Sequence, residues 1–578
     1  MPAGGLLEAP TGPGDSPSFF LTLPLFSKVP SFLTTRLPVV FTGLDVMVFS
    51  PLLIAALLPI AARAANDWSQ PCFGDCHWDL SSETGSGTLR ISGPHTAVSD
   101  ITDAAGWMVM DCDENGEDQE IRLVCQDSSK GCEHIYNGNG APSTLVRLPQ
   151  NCGKMPFALV TREWEHEDQS IPAHQLAKIV RRDGTLPVVR GMALATKFDT
   201  VDPAQTGNVS LFIQGSSLKG AAGNFSVTPP SSTDLQKRGF GDWIDDTLGH
   251  IAEIHKNISD SSPIKLDKDF PAFDQKLACP KNGKVPAFDG EVKIDLDSKV
   301  DGTVHYGVAA AGSLIPPQID EFGLFIGLDT SISGTLNLDT TLSGSLSSGK
   351  KPLIEVGLPG LDFPKIFSIG PTFSVNAEAT AELDTNINLD VDLSYNVKGM
   401  QLFFPPSKDP QGEYKPGDSN VKLSVSPNIT THGQIAAHLI PSLEFGISAL
   451  GGKTKATINL DLDADTAVDL SLSPLGGKSK RDDVSGCVDI SSGLAVEAGA
   501  NADFFNIFKK DTSVSLFKKR FDLFKKCFGN SNARRAYTGR AARAALKDKR
   551  ADGAVCPTDI FGSIASIVEE KVLGSSLG

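Results

Sequence analysis

The sequence predicts a mainly β protein: an N-terminal disulfide-rich β domain followed by an elongated antiparallel β domain with long amphipathic strands, and short helices in the linker and tail. Three observations predict it. Six of the ten cysteines lie between Cys72 and Cys152, the density of a disulfide-stapled module. Between residues 292 and 472, apolar side chains recur at every second position, the rhythm of strands with one buried and one wet face. The chain is also rich in glycine (55 residues) and poor in aromatics (7%), a composition of strands and turns. Its 578 residues suffice for two to four domains, and 40% hydrophobic with 21% charged residues is a globular composition. A net charge of −17 argues against nucleic acid as a partner, because phosphate binding needs a basic face.

Residues 1–46 are Pro- and Phe-rich without a steady period and read as a non-native extension or a disordered segment ahead of a true start at Met47. Residues 47–65 read as a signal peptide: an apolar stretch from Pro51 to Ala62 precedes Ala62-Arg63-Ala64, the small-x-small pattern of a cleavage site. That stretch is too short for a stable transmembrane helix, and no later segment is long and apolar enough for one. Export agrees with the even number of cysteines and with four N-glycosylation sequons, at Asn208, Asn224, Asn257 and Asn428. The first cysteines (Cys72, Cys76, Cys112, Cys125, Cys132, Cys152) allow 15 pairings and the last four (Cys279, Cys487, Cys527, Cys556) allow 3.

Residues 66–230 form the Cys-rich β domain, in which short apolar runs alternate with turn signals such as Asn115-Gly116 and Asn137-Gly138-Asn139-Gly140. Residues 231–285 read as a linker with a short helix: Trp243, Ile244, Leu248, Ile251 and Ile254 have helical spacing and should pack on the next domain. Lys237-Arg238, in the same segment, is a candidate dibasic processing site.

Residues 286–530 form the long-stranded domain. Apolar or small residues hold the even positions from Val292 to Leu314, and apolar ones recur on them from Phe322 to Leu346; they hold the odd positions from Phe373 to Val397 and from Val421 to Ala449, and the even ones again from Ala456 to Leu472. Phe325 alone breaks the polar phase of its run. Either these are very long strands, which we expect, or each run is two shorter strands whose turn keeps phase. Five ribbons about 80 Å long and ~4.8 Å apart carry an apolar face of ~1,900 Å², far above what soluble proteins leave uncovered. That face must fold onto itself or a second sheet, or enclose a hydrophobic ligand. Leu324, Ile326, Leu328, Leu336, Leu338, Leu383, Ile387, Leu389, Val391 and Leu393 are the ligand-facing candidates. Residues 531–578 are a basic tail with a terminal helix. The window 509–550 holds 14 Lys or Arg against 3 Asp, a local net of +11 that leaves −28 elsewhere; it is read as an exposed segment offsetting the acidic body.

The stretches from Gly486 (GCVDISSGLAVEAGANADFFNIFKK) and from Ser515 (SLFKKRFDLFKKCFG) resemble the C-terminal end of a group of large fungal secreted proteins of unknown function. The resemblance implies an exported fungal product and a Cys487–Cys527 pair, and supplies no catalytic residues.

Motifs with chemical meaning are few. Asp111-Cys-Asp113-Glu-Asn115-Gly116 opens like a calcium loop, but position 12 of such a loop would be Arg122, so a hairpin turn is the better reading, with weak calcium binding at Asp111, Asp113 and Asp118 as the alternative. Glu163-Trp-Glu165-His166-Glu167-Asp168 gathers carboxylates around a histidine and reads as a solvated loop. Cys72-Phe-Gly-Asp-Cys76-His77 is one residue too long for haem attachment. No catalytic residue, metal or cofactor is assigned. The expectation is a secreted or cell-surface, non-enzymatic protein with a structural, interaction or hydrophobic-ligand-binding role, its partner a lipid or a cell-wall component. The alternatives are a secreted carbohydrate-active hydrolase and a dibasic-processed proprotein.

Overall fold

The computed structural model describes residues 66, 68–176, 178–179, 185–219, 227–229, 240–256, 262–383, 386–426, 431–452, 454–474, 484–501, 512–528, 553–557, 565–573 and 575. The expected signal peptide, Asn224, Asn257, Asn428, Lys237, Arg238 and most of the basic tail lie outside them. The elements used below are β1 (Asp75–Ser81), β2 (Ser86–Ser92), β3 (Val209–Ser216), helix α1 (Gly241–Lys256), β4 (Ser262–Cys279), β5 (Phe288–Ile315), β6 (Gln318–Thr340), β7 (Phe367–Leu383), β8 (Ile387–Phe404), β9 (Ser419–Val425), β10 (Thr431–Ala449), β11 (Thr454–Pro474), β12 (Val484–Asn501), β13 (Thr512–Phe528) and β14 (Ala565–Val572).

The alternating segments build two antiparallel sheets that face each other. The first runs β1-β2-β3-β5-β6-β8-β9-β14, with β4 alongside β5 and Gln411–Pro416 alongside β8. The second runs β13-β12-β11-β10-β7, then Ser343–Ser347 and Gly553–Val555, with Lys351–Gly357 and Leu361–Phe363 also on β7. Strands as long as β5 (28 residues) and β6 (23 residues) are far beyond the ordinary length. Their inward residues join one core: Val292, Leu336 and Leu389 from the first sheet lie in the same cluster as Val375, Leu443, Leu460 and Val488 from the second. Each such side chain contributes ~1.5–3 kcal/mol on burial.

The long-strand expectation holds for β5, β6, β10 and β11, and fails at three places where a single rhythmic run is two strands in opposite sheets. The chain leaves the first sheet after Thr340 and enters the second at Ser343, returns between Leu383 and Ile387, and crosses again between Val425 and Thr431. The buried phase is even on both sides of the first crossing and odd on both sides of the other two. Both inner faces point at the same core, so a crossing that spans an even number of positions leaves the rhythm undisturbed.

A third, smaller sheet belongs to the Cys-rich region. Its order is Val98–Asp100, Leu145–Arg147, Phe157–Glu165, Arg190–Ala195, Gln119–Cys125, Trp107–Met110. One side has its own core around Trp107, Ile121, Leu123 and Met192. Leu145, Phe157 and Leu159 pack instead into the core of the large sandwich, and β1, β2 and β3 extend the first large sheet. The Cys-rich region is thus built into the larger body. Two further differences concern the linker and the tail. The 231–285 segment contains α1 but also the 18-residue strand β4. Residues 565–572, expected as a terminal helix, form β14, which pairs with β9 from Ser419↔Val572 to Val425↔Ala565.

Helix α1 lies on the outer face of the first sheet, as its apolar spacing predicts. Trp243, Ile244, Leu248 and Ile251 cover Phe212, Ala309, Ala311, Phe325 and Phe403. Phe325 breaks the polar phase because its side of the sheet is also buried. Close approach depends on two glycines. A Cβ at Gly307 would come within 2.6 Å of Ile251, and one at Gly323 within 2.6 Å of both Ile244 and Leu248.

Gly323→Val should therefore displace α1 and cost ~1–3 kcal/mol by overpacking, whereas Leu336→Ala should cost ~2–5 kcal/mol by opening a core cavity. Urea unfolding of both variants, with hydrogen exchange across residues 243–255, separates them: only the glycine variant should accelerate exchange in the helix preferentially.

Candidate functional site

All ten cysteines are paired: Cys72–Cys76, Cys112–Cys152, Cys125–Cys132, Cys279–Cys556 and Cys487–Cys527. The last joins directly opposed positions of β12 and β13, the pair implied by the resemblance. Cys279–Cys556 ties the end of β4, in the first sheet, to the residue following Val555, in the second, across 277 residues of sequence. Of the sequons, Asn208 is exposed, directly before β3.

The hydrophobic candidates face inward. Leu324, Ile326, Leu328, Leu336 and Leu338 on β6, Leu383 on β7, and Ile387, Leu389 and Val391 on β8 are all at most 4% exposed and lie within the shared core. Leu393 lies on β8, its side chain outside the described set. Between the sheets, Leu296, Ile332, Tyr395, Leu439 and Ala464 line a cavity of about 10 Å³, room for a single water. Two larger clefts are open to solvent. One of about 700 Å³ lies between Leu402–Gln411 and Ser515–Leu516, with Leu402 and Phe403 in its wall. Another of about 450 Å³ lies between Glu117, Asp118 and Thr196–Asp199 of the Cys-rich region and Pro317, Lys365, Leu450 and Gly451 of the sandwich.

The carboxylate motifs of the Cys-rich region are occupied by the fold itself. Asp111 and Asp113 sit in the hairpin connection between paired strands. Arg122, the residue that spoils a calcium loop, ion-pairs with Asp111 and, at 2.7 Å, with Asp168. Asp118 accepts the backbone N–H of Thr196 at 2.9 Å. Glu163 and Glu165, expected in a loop, end the strand Phe157–Glu165; Glu163 accepts from Arg190 at 2.8 Å. Among the described residues, no group of three or more His, Cys, Asp or Glu side chains is placed to hold a metal ion, and no helix is long and apolar enough to cross a membrane.

Two histidine sites were not anticipated. On the outer face of the second sheet, Glu378, His438, Asp465, Gly493 and Arg520 form one transverse row across five strands. Arg520 reaches over Gly493 to ion-pair with Asp465; a Cβ at Gly493 would lie 2.5 Å from Asp465 Oδ1, so only glycine leaves room for the bridge. His438 Nδ1 lies 2.8 Å from Asp463 Oδ1. The hydrogen bond to Asp463, reinforced by the charges of Asp463, Asp465 and Glu378, raises the imidazole pKa. The signal for this site was present in the sequence: His438 falls on the polar phase of the run 421–449.

The second site lies under α1. His255 is 6% exposed, its Nε2 lies 2.7 Å from Ser216 Oγ, and its ring lies 4.8 Å from that of His305. Burial, with the neighbouring His305, pushes its pKa down to about 3. The spacing of α1 carried a signal for it: His255 lies four residues after Ile251 and seven after Leu248, on the stripe that faces the sheet.

Residues 289–529 match the model of a domain of unknown function, DUF7223. The match begins in β5 and ends just past β13, so β1–β4 and β14, which complete the first sheet, lie outside it. No curated protein and no solved structure matches the chain.

The two histidines predict opposite pH behaviour. The folded pKa of His255 lies below its unfolded value of ~6.5, so its contribution is present above that pH and lost as pH falls toward 3. The folded pKa of His438 is raised, so its contribution is present below ~6.5 and lost as pH rises through the folded value. Hydrogen-exchange protection factors in α1, corrected for the intrinsic rate at each pH, should fall from pH 6.5 to 4, and His255→Gln should flatten that dependence, while His438→Gln should leave it unchanged.

Proposed function

We propose that the chain is an exported, disulfide-locked protein of the fungal cell surface or wall with a non-catalytic, structural or interaction role. The observation that carries this reading is that every cysteine is spent in a disulfide, including one that spans 277 residues between the two sheets. Such a set forms and persists in an oxidising compartment. The apolar faces of the long strands cover each other in one core, and the cavity described between them, lined by Leu296, Ile332 and Tyr395, holds about 10 Å³, which favours a rigid structural body over a carrier with a ligand inside the sandwich. Asn208 is exposed and accessible for glycan addition. The Asp, Asn, Ser and Thr residues on the outward phase of β6 and β8 offer a broad hydrophilic surface to the surroundings.

The test is mass spectrometry of protein recovered from the medium or wall of expressing fungal cells, alkylated before and after reduction. Five intact disulfides and a glycan at Asn208 are the expected result. Recovery only from the cytosol, with free thiols, would overturn the reading.

A further inference from the structure

Trp164 lies outside both large sheets and outside the hydrophobic cores. The small sheet brings it to an open face. After the register shift between Val160 and Arg162, Trp164 pairs with Gly191 and Arg162 with Ala193. Ala193 in turn pairs with Glu120 and Gly191 with Arg122. Glu120, Arg122, Arg162 and Trp164 therefore share one face, because directly paired residues point to the same side of a sheet. A Cβ at Gly191 would lie 2.3–2.7 Å from three atoms of the indole, so the ring rests across bare backbone. Arg162 stands over the ring, its guanidinium 4.2 Å from the ring centre and 2.9 Å from Glu120, and the His166 ring lies to one side at 6.4 Å between centroids. Arg162 and Glu120 are both 62% exposed, so this cover is held by a cation–π contact and an ion pair in water, both weak.

We infer that this face binds a neutral polysaccharide, with a pyranose ring stacking on Trp164 when Arg162 swings aside. An indole held flat on a sheet presents a rigid apolar platform, which fits the C–H face of a sugar. Glu120 at its rim, freed from Arg162, then offers acceptors to the ring hydroxyls. Charge selects among polymers. On the face of Trp164, the carboxylates of Glu120, Asp111 and Asp168 outnumber the guanidinium groups of Arg122 and Arg162 with which they pair, so an anionic polymer is repelled and an uncharged one is not. The inference deepens the surface-protein reading and rests on it for the supply of such a polymer: β-glucan and chitin share the required uncharged, flat pyranose face.

The experiment is retention of the full chain on insoluble β-1,3-glucan and on chitin, with polygalacturonate as the anionic control and oligolysine as a cationic one. The wild type should bind glucan or chitin and neither control, and the polymer that retains it identifies the source. Trp164→Ala should weaken binding about tenfold or more, Trp164→Phe should keep most of it, and Arg162→Ala, which uncovers the ring, should bind at least as well as wild type. Gly191→Ala, which lifts the ring off the sheet without removing it, should act like Trp164→Ala and serves if the latter does not fold. Equal binding by wild type and Trp164→Ala, parallel loss in Trp164→Ala and Arg162→Ala, retention on oligolysine alone, or no retention at all would each overturn the inference. None of these outcomes touches the disulfide count and recovery that test the surface-protein reading.

Discussion

The mutual burial of two apolar sheet faces is the constraint on which the remaining structure depends. Ribbons as long as β5 and β6 cannot exist alone in water, because each carries a continuous greasy side. The second sheet supplies the cover, and the chain passes between the sheets after Thr340, after Leu383 and after Val425 to bring it there. Every inward position is therefore committed to packing. Charged side chains are displaced to the outer faces and to the Cys-rich sheet.

Two tyrosines make polar contacts across the sandwich. The Tyr395 hydroxyl meets Thr466 Oγ1 at 2.7 Å, joining β8 of one sheet to β11 of the other. Tyr306 donates to the carbonyl of Pro359 at 2.9 Å and places its ring edge-on to Phe445 of the second sheet. Such contacts have directional requirements that Leu–Leu packing lacks, and they fix the lateral register of the two layers. The same economy governs the outer faces. Where α1 lies on the first sheet, the wet phase gives way to Gly307, Ala309, Ala311 and Phe325; where Arg520 must reach Asp465, the intervening strand carries Gly493.

Much of this was legible in the residues. The two-residue rhythm identified the strands and their inner faces, and the spacing from Trp243 to Ile254 identified the helix and its docking. What the rhythm could not reveal is which sheet each strand joins, because crossings such as Leu383 to Ile387 keep the buried phase. The tail misled for a related reason: in Ala565–Val572 only Ile567, Val568 and Val572 are bulky and apolar, too few to separate a period of two from one of 3.6, and pairing with β9 decided it. Glu163–Asp168 looked like a solvated run because its composition is acidic. The strand beneath it, and the glycine that seats Trp164, are properties of the partner strand Arg190–Ala195 and not of the run itself.

The Cys279–Cys556 bond has a mechanical consequence. A polypeptide held at one end and tugged at the other lengthens by paying out chain. Between these two cysteines lie β5 to β13 and nearly all of the second sheet, and a covalent clasp short-circuits that entire stretch. Tension passes from β4 directly to the residues after Gly553–Val555, so the sandwich can be deformed but not unspooled, and extension is confined to segments on either side of the clasp.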